Sequence, residues 1–315
     1  MKKLRLLLPL AVLPLLWACS TNGVLQTASS GSHNADIPVG PIFSGHLYIS
    51  GAVNIRSGIG QYEIPLTNAS VPSGTLGTSD VYRGLCADKA GQIAATGFDG
   101  LSTDRLDVFN PPITSGEKRS FSLSSTFPAS GCTFDAESNL YVVSRESFVG
   151  SALDLFLAPV GPNSRIARTI ARPSSDEAYD VASDSQGDIF TINLHDITEY
   201  APAQGSNELV TTFGVGYDNG AAAFAPDGRL FTTGGSSTVN IYSPPFYNGE
   251  TPRAFLHVPN CGIAVGIAFD SASDLFVSCL IGAFSGNLVE LPPPYATPTA
   301  TIVNAPYVGS LLVAP

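Results

Sequence analysis

Three carboxylates, two tyrosines and a histidine recur through one central stretch of the chain: Glu177, Tyr179, Asp180, His195, Tyr217 and Asp218. Carboxylates that share a site repel one another, so a gathered set favours a cation or a hydroxyl-rich neutral ligand over an anion. Oxygen donors suit Ca²⁺ or Mg²⁺ better than Zn²⁺, and tyrosine faces add stacking surface. These six residues are the candidate ligand rim, and Ca²⁺ or Mg²⁺ are the ions such a rim would accept. The competing reading makes them solvated loop groups, with the tyrosines serving as packing. No residue is assigned a catalytic role. The chain has no Gly-x-Ser-x-Gly elbow, no His-Glu-x-x-His, no P-loop and no dinucleotide-binding glycine run. Asp184-Ser-Gln-Gly-Asp188 has a faint calcium-loop look, but it falls in register with turn segments elsewhere and reads as a hairpin turn.

The cysteines carry a second kind of chemistry. The chain opens MKKLRLLLPLAVLPLLWAC: Lys2, Lys3 and Arg5 precede an apolar run too short and Pro-broken to span a membrane comfortably. Leu16-Trp17-Ala18-Cys19 resembles the lipobox of bacterial lipoproteins. That resemblance implies cleavage after residue 18 and lipid on Cys19, which tethers a protein to a membrane without crossing it; the alternative is an ordinary secretion signal. Export puts Cys86, Cys132, Cys261 and Cys279 in an oxidising compartment. Cys261 and Cys279 flank one hairpin, and pairing of 270 with 275 would set 279 opposite 266, which makes them a candidate disulfide. Cys86 and Cys132 stay open between a bridge and two buried thiols. Residues 19–39 are small, polar and aperiodic, as in a flexible tether. The formal net charge of −11 becomes more negative once the leader's three cations are gone, which disfavours nucleic acid as a partner.

The elements that must position the rim repeat along the chain. One signature is a turn: ADKAGQI (87–93), FDAESNL (134–140), SDSQGDI (183–189), FAPDGRL (224–230) and FDSASDL (269–275). The other is a strand closed by proline, IGQYEIP (59–65), LDVFNPP (106–112), LDLFLAP (153–159), ITEYAPA (197–203), VNIYSPP (239–245) and LVELPPP (288–294), with Tyr62, Phe109, Phe156, Tyr200, Tyr242 and Leu291 at its fourth position. Two independent signatures sharing a period of roughly 40–50 residues, with several short strands in each, mark a β-propeller. The fold expected is all-β: a six-bladed β-propeller over 40–315. The stretch at 307–314 reads as a first strand with nothing after it, so the C-terminal strand is expected to close the first blade.

Gly84-Leu85-Cys86-Ala87-Asp88 and Gly266-Ile267-Ala268-Phe269-Asp270, each followed by an Ile- or Leu-led strand, resemble the NHL-repeat pattern. The same pattern runs through regucalcin/gluconolactonase-like and virginiamycin-B-lyase-like propellers. The resemblance covers nearly all of 42–315 and implies architecture more than activity. In such propellers, loops from every blade gather where the inner strands begin, and the six rim residues belong to such loops. The reading reached is a lipid-anchored extracytoplasmic propeller, at the outer membrane or cell surface, that acts as a small-molecule- or protein-binding module, with enzymatic activity left open and leaning against. A metal-dependent lyase or lactonase-type enzyme and a structural envelope protein are the alternatives.

Overall fold

The computed structural model describes residues 45–51, 57–76, 81–98, 104–111, 114–116, 119–146, 150–172, 177–201, 209–214, 216–282 and 285–314. The leader, the tether and Cys19 lie outside the described residues.

The described residues form six four-stranded antiparallel sheets. Blade 1 takes β1 (His46–Ser50), β2 (Ile59–Glu63) and β3 (Gly74–Leu76); blade 2 takes β4 (Val81–Ala87), β5 (Ile93–Phe98), β6 (Asp104–Phe109) and β7 (Phe121–Leu123). Blade 3 holds β8 (Ala129–Phe134), β9 (Leu140–Glu146), β10 (Gly150–Phe156) and β11 (Arg168–Arg172), and blade 4 holds β12 (Ala178–Ser183), β13 (Ile189–Asn193), β14 (Ile197–Tyr200) and β15 (Leu209–Phe213). Blade 5 is β16 (Ala222–Phe224), β17 (Leu230–Thr233), β18 (Thr238–Tyr242) and β19 (Ala254–His257); blade 6 is β20 (Ile263–Phe269), β21 (Leu275–Gly282), β22 (Ser285–Leu291) and β23 (Ala300–Ile302). The last strand, β24 (Leu311–Ala314), returns to blade 1 and pairs with β1 from Ile49↔Leu311 to His46↔Ala314. The inner strands β24, β4, β8, β12, β16 and β20 touch in succession and back to β24, so the ring is closed. Pairing of β24 with β1 completes blade 1 as a four-stranded sheet like the other five.

Each sequence signature has a physical cause. In the turns, one Asp oxygen takes two backbone N–H groups and locks the hairpin. Oδ1 of Asp88 accepts from Ala90 (2.9 Å) and Gln92 (2.8 Å), that of Asp135 from Glu137 (3.0 Å) and Asn139 (2.8 Å), and that of Asp270 from Ala272 (2.9 Å) and Asp274 (2.8 Å). Asp184 does the same for Gln186 (2.8 Å) and Asp188 (2.9 Å), so this segment is a hairpin turn. Blade 5 has Ala225 instead, and Asp227 accepts from the Arg229 backbone (3.1 Å) and side chain (2.7 Å).

The fourth residue of each third strand fills one blade interface. The buried apolar residues fall into six clusters, one between each pair of neighbouring blades. Tyr62 belongs to the cluster between blades 6 and 1, Phe109 to that between 1 and 2, and Phe156 to that between 2 and 3. Tyr200, Tyr242 and Leu291 do the same for the next three interfaces. Alternate residues of a second strand face opposite neighbours: Leu140 and Val142 pack towards blade 2, Tyr141 and Val143 towards blade 4. Burial on both faces explains why these strands read as apolar runs.

Disulfides join Cys86 to Cys132, across the inner strands of blades 2 and 3 with Cα atoms 5.7 Å apart, and Cys261 to Cys279, within blade 6 at 5.1 Å. Leu275 pairs with Phe269 and not with Asp270, and a bulge between Ala264 and Gly266 shifts the register by one more residue, so Cys279 faces Ala264 and not Gly266.

Candidate functional site

One position is equivalent in all six inner segments and is crowded where it carries glycine. Antiparallel register identifies it as Ser310, Gly84, Gly131, Asp180, Ala221 and Gly266. Small residues are required here. A Cβ on Gly84 would lie 2.8 Å from the Gly131 Cα, and one on Gly266 would lie 2.1 Å from the Gly309 carbonyl oxygen. Blade 4 alone breaks the rule with a carboxylate. The bulge that precedes it, between Ala178 and Asp180, also precedes Gly84, Gly131 and Gly266, so Asp180 stands on a backbone shared with the other blades.

Asp180 reaches both neighbouring strands. Its Oδ2 accepts the backbone N–H of Ala222 on β16 at 3.0 Å, and its Oδ1 occupies the space that a Cβ on Gly131 of β8 would need, 2.4 Å away. Burial pushes its carboxyl up to about 7, against the opposing pull of the Ala222 and Val181 backbone N–H groups.

From Asp180 a channel of about 550 Å³ runs down the inner strands to the face that carries the hairpin turns. Its wall is built of aliphatic and aromatic side chains such as Leu85, Phe134, Val181, Phe224 and Leu312, and includes the Cys86–Cys132 bridge. The charged side chains along it are Asp180 at the narrow end and Lys89, Asp135 and Asp184 at the turn end. The last two are held by their own turns, and Lys89 donates to the Ala136 carbonyl at 3.3 Å. Asp180 is therefore the carboxylate that lies within the strand wall.

The other candidate residues sit on the opposite face and divide into separate groups. Glu177 ion-pairs with Arg145, whose guanidinium lies 4.1 Å above the Tyr179 ring; the Tyr179 hydroxyl is 3.5 Å from the same Glu177 carboxylate. These side chains satisfy one another. His195 Nδ1 faces Asp218 Oδ1 at 3.6 Å, with the two side chains 52% and 62% exposed. Backbone bonds stitch their loops: Leu194 donates to the Glu177 carbonyl, Gly216 to that of His195 and Asn219 to that of Leu194. Tyr217 turns away from the axis, its ring 6.0 Å from that of Phe255 on the outermost strand of blade 5. None of these five lines the channel. Among the described residues no three His, Cys, Asp or Glu side chains gather closely enough to share an ion.

Asp180 was legible as a candidate by residue type, but as part of a loop. Its place in the channel wall follows from aligning it with Gly84, Gly131 and Gly266, which the sequence permits. Other polar groups have structural work: the Tyr82 hydroxyl donates to buried Asp107 at 3.0 Å, and the Asn260 carbonyl accepts from Asn287 at 2.7 Å.

No protein-family model matches the chain, and no curated protein matches it. Solved structures do. A protein of unknown function from Bacteroides caccae superposes with a TM-score of 0.62 at 10% identity, over 85% of this chain and 98% of that one. A functionally unknown protein from Desulfotomaculum acetoxidans gives 0.61 at 12% identity, over 88% of each chain. A protein from Lactobacillus plantarum gives 0.57 at 12%, over 85% of this chain and 99% of that one. At such identities the likeness shows the fold alone.

Proposed function

We propose that the protein is a lipid-anchored binding module outside the cytoplasm and that it holds a small molecule in the central channel. One observation carries the reading: a channel of about 550 Å³ with an apolar wall and a single carboxylate set into that wall. Its size falls within the range of roughly 300–1,000 Å³ typical of small-molecule sites, and such sites pair apolar walls with a few placed polar groups. The inner strands add their free backbone edges, which offer further donors and acceptors along the axis.

Localisation rests on different residues. The Leu16-Trp17-Ala18-Cys19 segment supports lipidation at Cys19. Two disulfides in one chain support an oxidising compartment, because cytosolic thiols are kept reduced. Fatty-acid labelling of the cells checks the anchor: the parent takes label and Cys19→Ala takes none, whereas a labelled alanine variant contradicts it.

A neutral apolar fluorophore, N-phenyl-1-naphthylamine, tests the channel. Ser185 lines the channel at its turn end, and a tryptophan there covers the opening without touching a core strand. The parent should show saturable fluorescence enhancement at one site per chain. Ser185→Trp should lose it while melting like the parent. Enhancement that survives in Ser185→Trp overturns the channel reading.

A further inference from the structure

We propose that the channel's ligand is an amphipathic primary amine, which enters from the turn face with its ammonium against Asp180 and its apolar body along the wall. This rests on the channel reading above and adds the ligand's chemistry. Asp180 has one oxygen committed to the Ala222 N–H, and the channel supplies no cationic side chain at its depth. The strands packed on β12 are β8, β9, β13 and β16. Their described titratable side chains are Tyr141 and Arg145 of β9. Tyr141 packs in the interface between blades 3 and 4, and Arg145 is engaged by Glu177 and Tyr179. The Cys132 sulfur of β8 is bonded to Cys86. Among the described residues the carboxylate thus has no counter-ion, and a ligand that carries one gains an attraction less screened than in water.

The turn end sorts ligands in the same direction. Asp135 and Asp184 flank the opening, so carboxylates outnumber the one lysine along the path, and anionic molecules are repelled before they reach Asp180. Beyond the carboxylate, Val181, Leu85, Ile267 and Leu312 offer aliphatic contact, and Phe134, Phe224 and Phe269 lie nearer the opening. An amine with a hydrophobic tail of a few carbons or a ring matches that order from narrow end to opening.

The pH response follows with a definite sign. Asp180 without ligand is half ionised near pH 7, and an amine of ordinary basicity stays protonated to about pH 10. The site binds the amine when Asp180 is ionised. Affinity should therefore be high at pH 8 and about tenfold lower at pH 6, because the ionised fraction falls by that factor across a midpoint of about 7. A neutral ligand of the same shape should show no such loss.

The test is calorimetric titration of the oxidised full chain with 4-phenylbutan-1-amine and with 4-phenylbutan-1-ol, in one buffer and detergent so that partition cancels. At pH 8 the amine should bind at least tenfold tighter than the alcohol. The gap should narrow about tenfold at pH 6. Asp180→Asn should bind both alike, at the alcohol's affinity. Equal binding by the parent at pH 8 overturns the amine assignment and leaves the channel reading standing. So does a preference that persists in Asp180→Asn, or a failure of both probes while the neutral fluorophore still binds. Failure of the fluorophore as well overturns the channel reading and this inference together. Should Asp180→Asn not fold, the pH comparison on the parent decides.

Discussion

At the scale of single residues, the repeated aspartates and the one misplaced aspartate have opposite roles. Asp270 holds its hairpin by taking the N–H groups of Ala272 and Asp274 on one oxygen, and its side chain is nearly buried. Asp270→Ala leaves both N–H groups without that acceptor. The expected cost is about 1.5–3 kcal/mol by chemical denaturation, the range for hydrogen bonds to charged groups. The sequence shows this role openly, because the same residue type stands at the same repeat position in four turns. Asp180 shows itself only as a departure from the small residues, such as Gly131 and Ala221, at the same repeat position. Blade 4 holds a further acid under strain of charge: burial, then Asp188 and Asp184, push Glu199 up to about 7. A carboxyl raised above its unfolded value of about 4.3 keeps a proton in the folded state that the unfolded chain has lost. Stability from this source is fully present below pH 4 and is lost as pH rises towards 7. Melting temperature should fall between pH 5 and pH 8, and Glu199→Gln should reduce that fall. An unchanged slope in the variant would show that Glu199 does not titrate there.

At the scale of elements, the blade interface is the unit of stability. Phe156 is fully buried in the cluster between blades 2 and 3, beside Leu140, Val142 and the Cys132 end of the bridge. Phe156→Ala should cost about 3–5 kcal/mol, the usual price of emptying an aromatic site in a core. Urea denaturation measures it; a loss below about 1 kcal/mol would mean that the interface repacks. This aromatic position was legible because it recurs before proline in third strands. What the sequence hid were irregularities within strands. One bulge recurs in β4, β8, β12 and β20, before Gly84, Gly131, Asp180 and Gly266, and in β20 it helps to set Cys279 opposite Ala264. A bulge adds one residue to one strand and need leave no mark on residue type: the one in β12 runs Ala178-Tyr179-Asp180, with no glycine. Tyr217 was placed at the rim because it precedes an inner strand, yet its ring meets Phe255 of β19, a partner set by the outer edge of the blade.

At the scale of the whole molecule, ring closure by β24 makes the two ends of the described chain depend on each other. Tyr307, Val308, Leu311 and Val313 are buried in the cluster shared by blades 6 and 1, and Ser310 exchanges bonds with Ser50. Buried aliphatics contribute about 1.5–3 kcal/mol each, and a domain's whole stability is only about 5–15 kcal/mol. A chain lacking 306–315 should be insoluble or rapidly cleaved by protease; one that melts like the parent contradicts closure. Closure was legible from a lone first-strand pattern at the end of the sequence, whereas the channel was not. A channel exists only once six inner strands converge, and its lining residues come from every blade. Crystals of the protein soaked with 4-(4-bromophenyl)butan-1-amine locate the ligand without assumption, through the anomalous signal of bromine. The account predicts one bromine inside the channel between Phe134, Phe224 and Phe269, with the ammonium density at Asp180. Bromine on the opposite face beside His195 and Asp218, with an unoccupied channel, would contradict it.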